Sequence, residues 1–177
     1  MKTSISIATE NDARGLAALR TVVARDMTRQ FGEGAWSVSP SDADVIQQLN
    51  ASIVLVAHRE AEIFGTVRLA RAKPWAIDAS MFTPVATAFY VLGLAVSPDT
   101  RGEGVGRSLM EAAKDAARME PADALWLDAY EHPAGAGPFY MKCGFRQVGR
   151  TSYREMPLMF YEWLTEFRIS ETPAGDR

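Results

Sequence analysis

Residues 91–109 read Val91-Leu92-Gly93-Leu94-Ala95-Val96-Ser97-Pro98-Asp99-Thr100-Arg101-Gly102-Glu103-Gly104-Val105-Gly106-Arg107-Ser108-Leu109. An apolar strand stops at a proline, the chain turns, and three alternating glycines flanked by arginines open an amphipathic helix. Glycine lets a backbone approach a ligand closely, and the first-turn amides of a helix have no acceptor within it. With the positive helix end and two guanidiniums, this pattern describes an anion site of the kind that holds a pyrophosphate. The lysine of a Walker loop is absent, and Gly102-x-Gly104-x-Gly106 is not the G-x-G-x-x-G of dinucleotide folds. ATP and NAD are therefore poor fits. A Gly-rich turn before a surface helix would explain the six central residues alone, but not the strand and proline ahead of them.

Working outward, Val105, Leu109, Ala112, Ala113 and Ala116 give the helix one apolar face. Ala88 to Val96 is the central strand. Ala124 to Tyr130 is the next, with Leu125 and Leu127 on one face and Trp126 and Asp128 on the other. A short helix over Gly137 to Lys142 stops at Gly144, and strands over Phe145 to Arg154 and Leu158 to Phe167 follow. Upstream come a strand at Ser4 to Ala8, a helix from Asn11 to about Gln30, and a second helix capped by Ser41-Asp42-Ala43-Asp44. Strands at Ile53 to Ala57 and Ile63 to Leu69 are joined by a turn, and residues 72–87 form a long irregular connection. The order β-α-α-β-β-β-α-β-α-β-β predicts a mixed α/β sheet.

Two separated motifs in the right order resemble the GCN5-related N-acetyltransferase (GNAT) superfamily. Arg101-Gly102-Glu103-Gly104-Val105-Gly106 fits its acyl-CoA motif Q/R-x-x-G-x-G/A, and Phe139-Tyr140, Lys142, Gly144 and Phe145 fit its second signature. The resemblance covers Ala88 to Trp163 by motif and the N-terminal half by element order. It implies a mostly antiparallel sheet of about seven strands, splayed at its centre, with helices on both faces. It also implies acetyl-CoA as cofactor, transferred by direct attack of a primary amine in a ternary complex. The main chain of Leu94, Ala95 and Val96 would pair with the pantetheine arm. Gly102, Glu103, Gly104, Val105, Gly106 and Arg107 would hold the pyrophosphate through their amides, with Arg101 and Arg107 as adjuncts.

Direct attack needs a neutral amine, a stabilised oxyanion and a proton for the leaving thiolate. Tyr140 is the expected general acid, because a phenol pKa of ~10 lies near that of an alkyl thiol. Its alternative role is packing the short helix on the sheet. The central strand holds no carboxylate, so Asp128 or Glu131 is the candidate base, directly or through a water; proton loss to solvent is the competing route. The family often has Asn-Pro ahead of the short helix, where this chain has His132-Pro133 one residue out of register. Trp36, Trp75, Phe82 and Tyr90 are candidate lining for the acceptor pocket, or else core aromatics. Met159 to Leu164 reads as a buried strand with a candidate dimer contact.

Composition sets the outer limits. A chain of 177 residues with 47% hydrophobic residues suits one domain over residues 1–169, with 170–177 as a flexible tail. A net charge of −3 argues against general nucleic-acid or anionic-membrane binding. The single cysteine, Cys143, forms no intramolecular disulfide and reads as a packed thiol in a reducing compartment. Two histidines and one cysteine at unrelated spacing predict no metal site. The N-terminus lacks a signal-peptide layout and no apolar run reaches the ~20 residues of a membrane span, so a cytosolic protein is expected. The partner is a small-molecule or peptide amine. The rival reading is a CoA-responsive regulatory module that kept the fold without transfer.

Overall fold

Alternation along one strand shows how the layers form. In β2 (Ser52–Arg59), Leu55 and Ala57 join a core with Val105, Leu109 and Ala113 of helix α3 (Val105–Met119). The intervening Val54 and Val56 face the other way, against Leu16 and Ala17 of α1 (Ala13–Phe31) and Val45 of α2 (Asp42–Ala51). A period of two thus puts helices on both faces of one sheet. The computed structural model describes residues 3–131, 133–153 and 156–165.

The remaining strands are β1 (Ser4–Ile7), β3 (Glu62–Ala70), β4 (Ala88–Val96), β5 (Ala124–Tyr130), β6 (Arg146–Tyr153) and β7 (Met156–Leu164), and a fourth helix, α4 (Gly137–Lys142), precedes β6. The sheet order is β1-β2-β3-β4-β5-β7-β6, antiparallel throughout except for β4 and β5. The stretch around Phe160 and Tyr161 lies inside this sheet, between β5 and β6, with both residues buried. Met159 packs against the core as well.

Two irregularities at the sheet centre make the site. The parallel ladder between β4 and β5 lasts only from Ala88↔Ala124 to Tyr90↔Trp126. Beyond it the strands part, leaving one edge of β4 without a strand partner. On the other edge, Thr66 pairs with Ala95 and Arg68 with Leu92, so Val67 of β3 spans Gly93 and Leu94 of β4. Gly93 has φ 59°, a left-handed value that glycine adopts at little cost. This bulge bends β4 away from β5.

The connection from 71 to 87 is pinned rather than loose. Phe82 stacks on Trp126 with ring centroids 4.6 Å apart, in a cluster with Ile77, Tyr90 and Phe160. The buried Glu162 carboxylate accepts from the Thr83 amide at 2.8 Å, the Thr83 hydroxyl at 2.7 Å and Arg146 Nε at 2.7 Å. Such charge-assisted bonds hold a loop firmly.

The α3 face leaves no spare volume at Gly65. A Cβ there would sit 2.8 Å from Val105 Cγ1 and 3.0 Å from Leu109 Cδ1. Gly65→Ala should therefore destabilise by about 1–3 kcal/mol through overpacking. Thermal melts should show Tm lower by about 2–10 °C for a chain of this size.

Candidate active site

The glycine turn is a backbone cradle. Gly102 and Gly104 have φ 86° and 81°, and a Cβ on either would meet nothing within 4 Å, so conformation rather than crowding selects glycine there. Gly104 is the N-cap of α3, which leaves the amides of Val105, Gly106 and Arg107 without intrahelical acceptors. Gly106 has a separate role. Its Cβ would come 3.2 Å from Phe139 Cζ, so the missing side chain lets α4 close on α3.

The side chains around the cradle are engaged within the protein. Arg101 binds Asp26 Oδ2 at 2.5 Å, Glu103 pairs with Arg59 at 3.0 Å, and Arg107 donates to the Lys142 carbonyl at 3.3 Å. Arg101 and Arg107, the expected anion adjuncts, thus also brace the fold. Arg101 ties the turn to α1 and Arg107 ties α3 to the end of α4.

Asp26 is buried and also bonds Arg29 at 2.5 Å and Gln30 at 2.6 Å. Burial pushes its pKa up, but hydrogen bonds and charge from Arg101 and Arg29 outweigh this and hold it below the usual 3.8. A carboxylate lowered in the folded state stabilises above its unfolded pKa and loses that contribution as pH falls through the folded value. Urea unfolding should therefore show the wild type losing more stability below pH ~4 than Asp26→Asn does.

The split between β4 and β5 opens into a cavity of about 1090 Å³. Val91 to Val96 form one wall, and Asp128, Ala129 and Tyr130 of β5 the other. Arg101, Gly106, Phe139 and Tyr140 close the cradle end, and Arg20, Val23, Ala24 and Met27 of α1 roof it with Trp36. Leu94, Ala95, Val96, Gly106, Tyr140 and Asp128 are therefore brought together.

Tyr140 is buried, with ring centroids 5.4 Å from Phe139, 6.0 Å from Phe145 and 5.9 Å from Tyr161. Burial, then the charges of Asp128, Cys143 and Tyr161, push its pKa far above the ordinary phenol value. Asp128 is half-buried and has no ion pair among the described residues; burial raises its carboxyl above 3.8, partly opposed by a bond from its own amide. Glu131 is outside the cavity lining and pairs with Arg150 at 2.7 Å. Of the two candidate bases, only Asp128 faces the cavity.

The candidate acceptor aromatics separate. Trp36 lines the cavity, edge-on to Tyr130 with centroids 5.2 Å apart. Phe82 and Tyr90 are core residues around Trp126, and Trp75, 68% exposed, is also outside the cavity lining. His132 and residues 170–177 lie outside the described residues. Cys143 is buried, and Lys114 donates to its carbonyl at 2.6 Å.

Sequence reading missed Arg20, Asp26 and Gly93. Arg20 interrupts the apolar series Leu16, Val23, Ala24, Met27 on one helix face, a charge at a core position. A glycine inside an apolar strand is the signal for a bulge.

A family model described as acetyltransferase (GNAT) domain matches residues 50–147. Among solved structures, the ribosomal-protein-S18-alanine N-acetyltransferase of Escherichia coli superposes with TM-score 0.73 at 13% identity, covering 98% of this chain and 100% of that one. The yncA protein of Salmonella typhimurium with its cofactor acetyl-CoA gives TM-score 0.70 at 16% identity, covering 99% of each. The paia N-acetyltransferase of Thermoplasma acidophilum in complex with coenzyme A gives 0.70 at 13%, covering 92% and 100%. No curated protein sequence matches the chain.

Proposed function

This chain belongs to the acetyltransferase (GNAT) domain family, whose cofactor is acetyl-CoA, and on that premise we propose that it acetylates a primary amine bound beside the cofactor. The supporting observation is that the open edge of β4, Gly106 of the cradle, Asp128 and Tyr140 all line one cavity. The residues fit the cofactor by shape and charge. The free amides of Val105 to Arg107 at a helix N-terminus suit a pyrophosphate, and the unpaired edge of Leu94 to Val96 suits an amide-bearing arm laid alongside like a strand.

When bound, acetyl-CoA supplies an activated thioester. The chain supplies position and protons. Asp128 accepts the proton that most alkyl amines carry at neutral pH, directly or through a water. Tyr140 would hold its phenolic proton for the leaving sulfur. A main-chain N–H of β4 would polarise the thioester carbonyl of the bound cofactor.

The raised carboxyl of Asp128 sets the pH dependence. A base works only when ionised, so kcat/KM should rise with pH on a limb above the ordinary carboxylate value of 3.8. Assays with acetyl-CoA and an amine panel test the reading. Asp128→Asn should lower kcat/KM by about 10²-fold or more and remove that limb, with acetyl-CoA affinity unchanged. An unaltered profile would transfer proton removal to solvent.

A further inference from the structure

Two half-buried arginines stand together at the α1 wall of the cavity, and neither has a carboxylate partner among the described residues. Arg20 lines the cavity; its Nη1 donates to Gln48 Oε1 at 2.6 Å. Its Nη2 lies over the β4 bulge, where a Cβ on Gly93 would come within 2.4 Å of it. Arg68 of β3 shares a small space with Arg20 and Gly93, walled by Leu16, Val45, Val54, Gln48 and Thr66, and its Nε is buried without a hydrogen bond among the described residues. Burial lowers the pKa of both, and the charge of Arg68 lowers Arg20 further.

Like charges in apolar surroundings oppose folding unless something compensates them. The neighbouring carboxylates are committed elsewhere: Asp26 to Arg29 and Arg101, and Asp44 to the Ser41 cap of α2. Asp128 lines the same cavity from β5 without pairing to either arginine. No carboxylate among the described residues therefore compensates the pair. The amides at the N-terminus of α3 suit the phosphates of the cofactor, which leaves the arginine pair available to the second substrate.

We propose that the acceptor is an amine that also carries a carboxylate, an amino acid or a close relative, with Arg20 holding the carboxylate and Arg68 reinforcing its charge from behind. This rests on the acetyltransfer reading above. A guanidinium matches a planar carboxylate in geometry as well as charge. The bulge at Gly93 clears the space, and the amine is then presented to Asp128 across the cavity. Arg20 is a specificity residue and Arg68 a positioning one.

The test supplies acetyl-CoA and the common L-amino acids, each alongside its carboxamide, with acetylated products read by mass spectrometry. Acetyl-CoA binding is measured separately by calorimetry. Wild type should acetylate one or more acids with kcat/KM at least about tenfold above the matching amide, a charge-assisted pair being worth roughly 10–100-fold. Arg20→Leu should abolish that preference by raising KM for the acid, with acetyl-CoA affinity unchanged. Arg68→Leu should weaken the preference partly, and each variant should melt no lower than wild type because one of two like charges is gone. Equal or better use of the amides, or the absence of any acetylated acid, overturns the proposal. With acetyl-CoA still bound and other amines acetylated, the transfer reading survives that result; loss of acetyl-CoA binding by wild type instead removes both.

Discussion

Tyr140→Phe should lower kcat by about 10²–10⁴-fold, the usual contribution of a positioned proton donor, while acetyl-CoA affinity and Tm stay close to wild type. The ring is held by Phe139, Phe145 and Tyr161, and phenylalanine preserves those contacts. The hydroxyl makes no hydrogen bond to a described residue, so removing it breaks no internal bond. Burial and the nearby Asp128 push the phenol pKa up, which keeps the proton in place at every working pH. A proton donor must be loaded when the sulfur leaves, and this one always is. A phenylalanine variant with full kcat would reduce Tyr140 to packing, with water or the bulk supplying the proton.

Gly104→Asp should weaken acetyl-CoA binding by about 100-fold, equivalent to about 2.7 kcal/mol, in a protein that remains folded. Gly104 has φ 81° and open space beyond it. Aspartate is among the few residues that visit this conformation, at about 1–2 kcal/mol for a left-handed residue. A carboxylate at a helix N-terminus recovers about 0.3–1 kcal/mol of that from the dipole. The same carboxylate stands where a phosphate would lie and repels it. Gly104→Asn has the same shape without the charge, so it should keep most of the affinity that Asp loses. Equal loss in both variants would point to backbone strain instead of an anion site.

Much of the architecture is legible in the residues because two periods and a few stops dictate it. Ala88–Val96, Ala124–Tyr130 and Gly137–Lys142 emerge with the boundaries that apolar runs, Pro98 and Gly144 suggest. The glycine turn is legible too, since alternating glycines ahead of a helix signal the left-handed backbone found at Gly102 and Gly104. Its side chains are not. No local pattern shows that Arg101 also ties the turn to Asp26, distant in sequence. Trp36 and Phe82 look alike as aromatics in loops. One faces the cavity and the other stacks on Trp126, because a buried Glu162 some eighty residues downstream pins the second loop. The split of β4 from β5 depends on the Gly93 bulge and on where a ladder ends, which no local pattern encodes. Long-range partners decide which side chains reach the cavity.

The most direct measurement follows thiol released from acetyl-CoA across an amine panel, with mass detection of the acetylated amine, for wild type and Tyr140→Phe. Release in step with an acetylated amine by wild type, falling by at least about 10²-fold in the variant with acetyl-CoA affinity intact, is the expected result. Tight acetyl-CoA binding with no thiol released on any amine would contradict it, and would make the cavity that of a CoA-responsive module rather than a transferase.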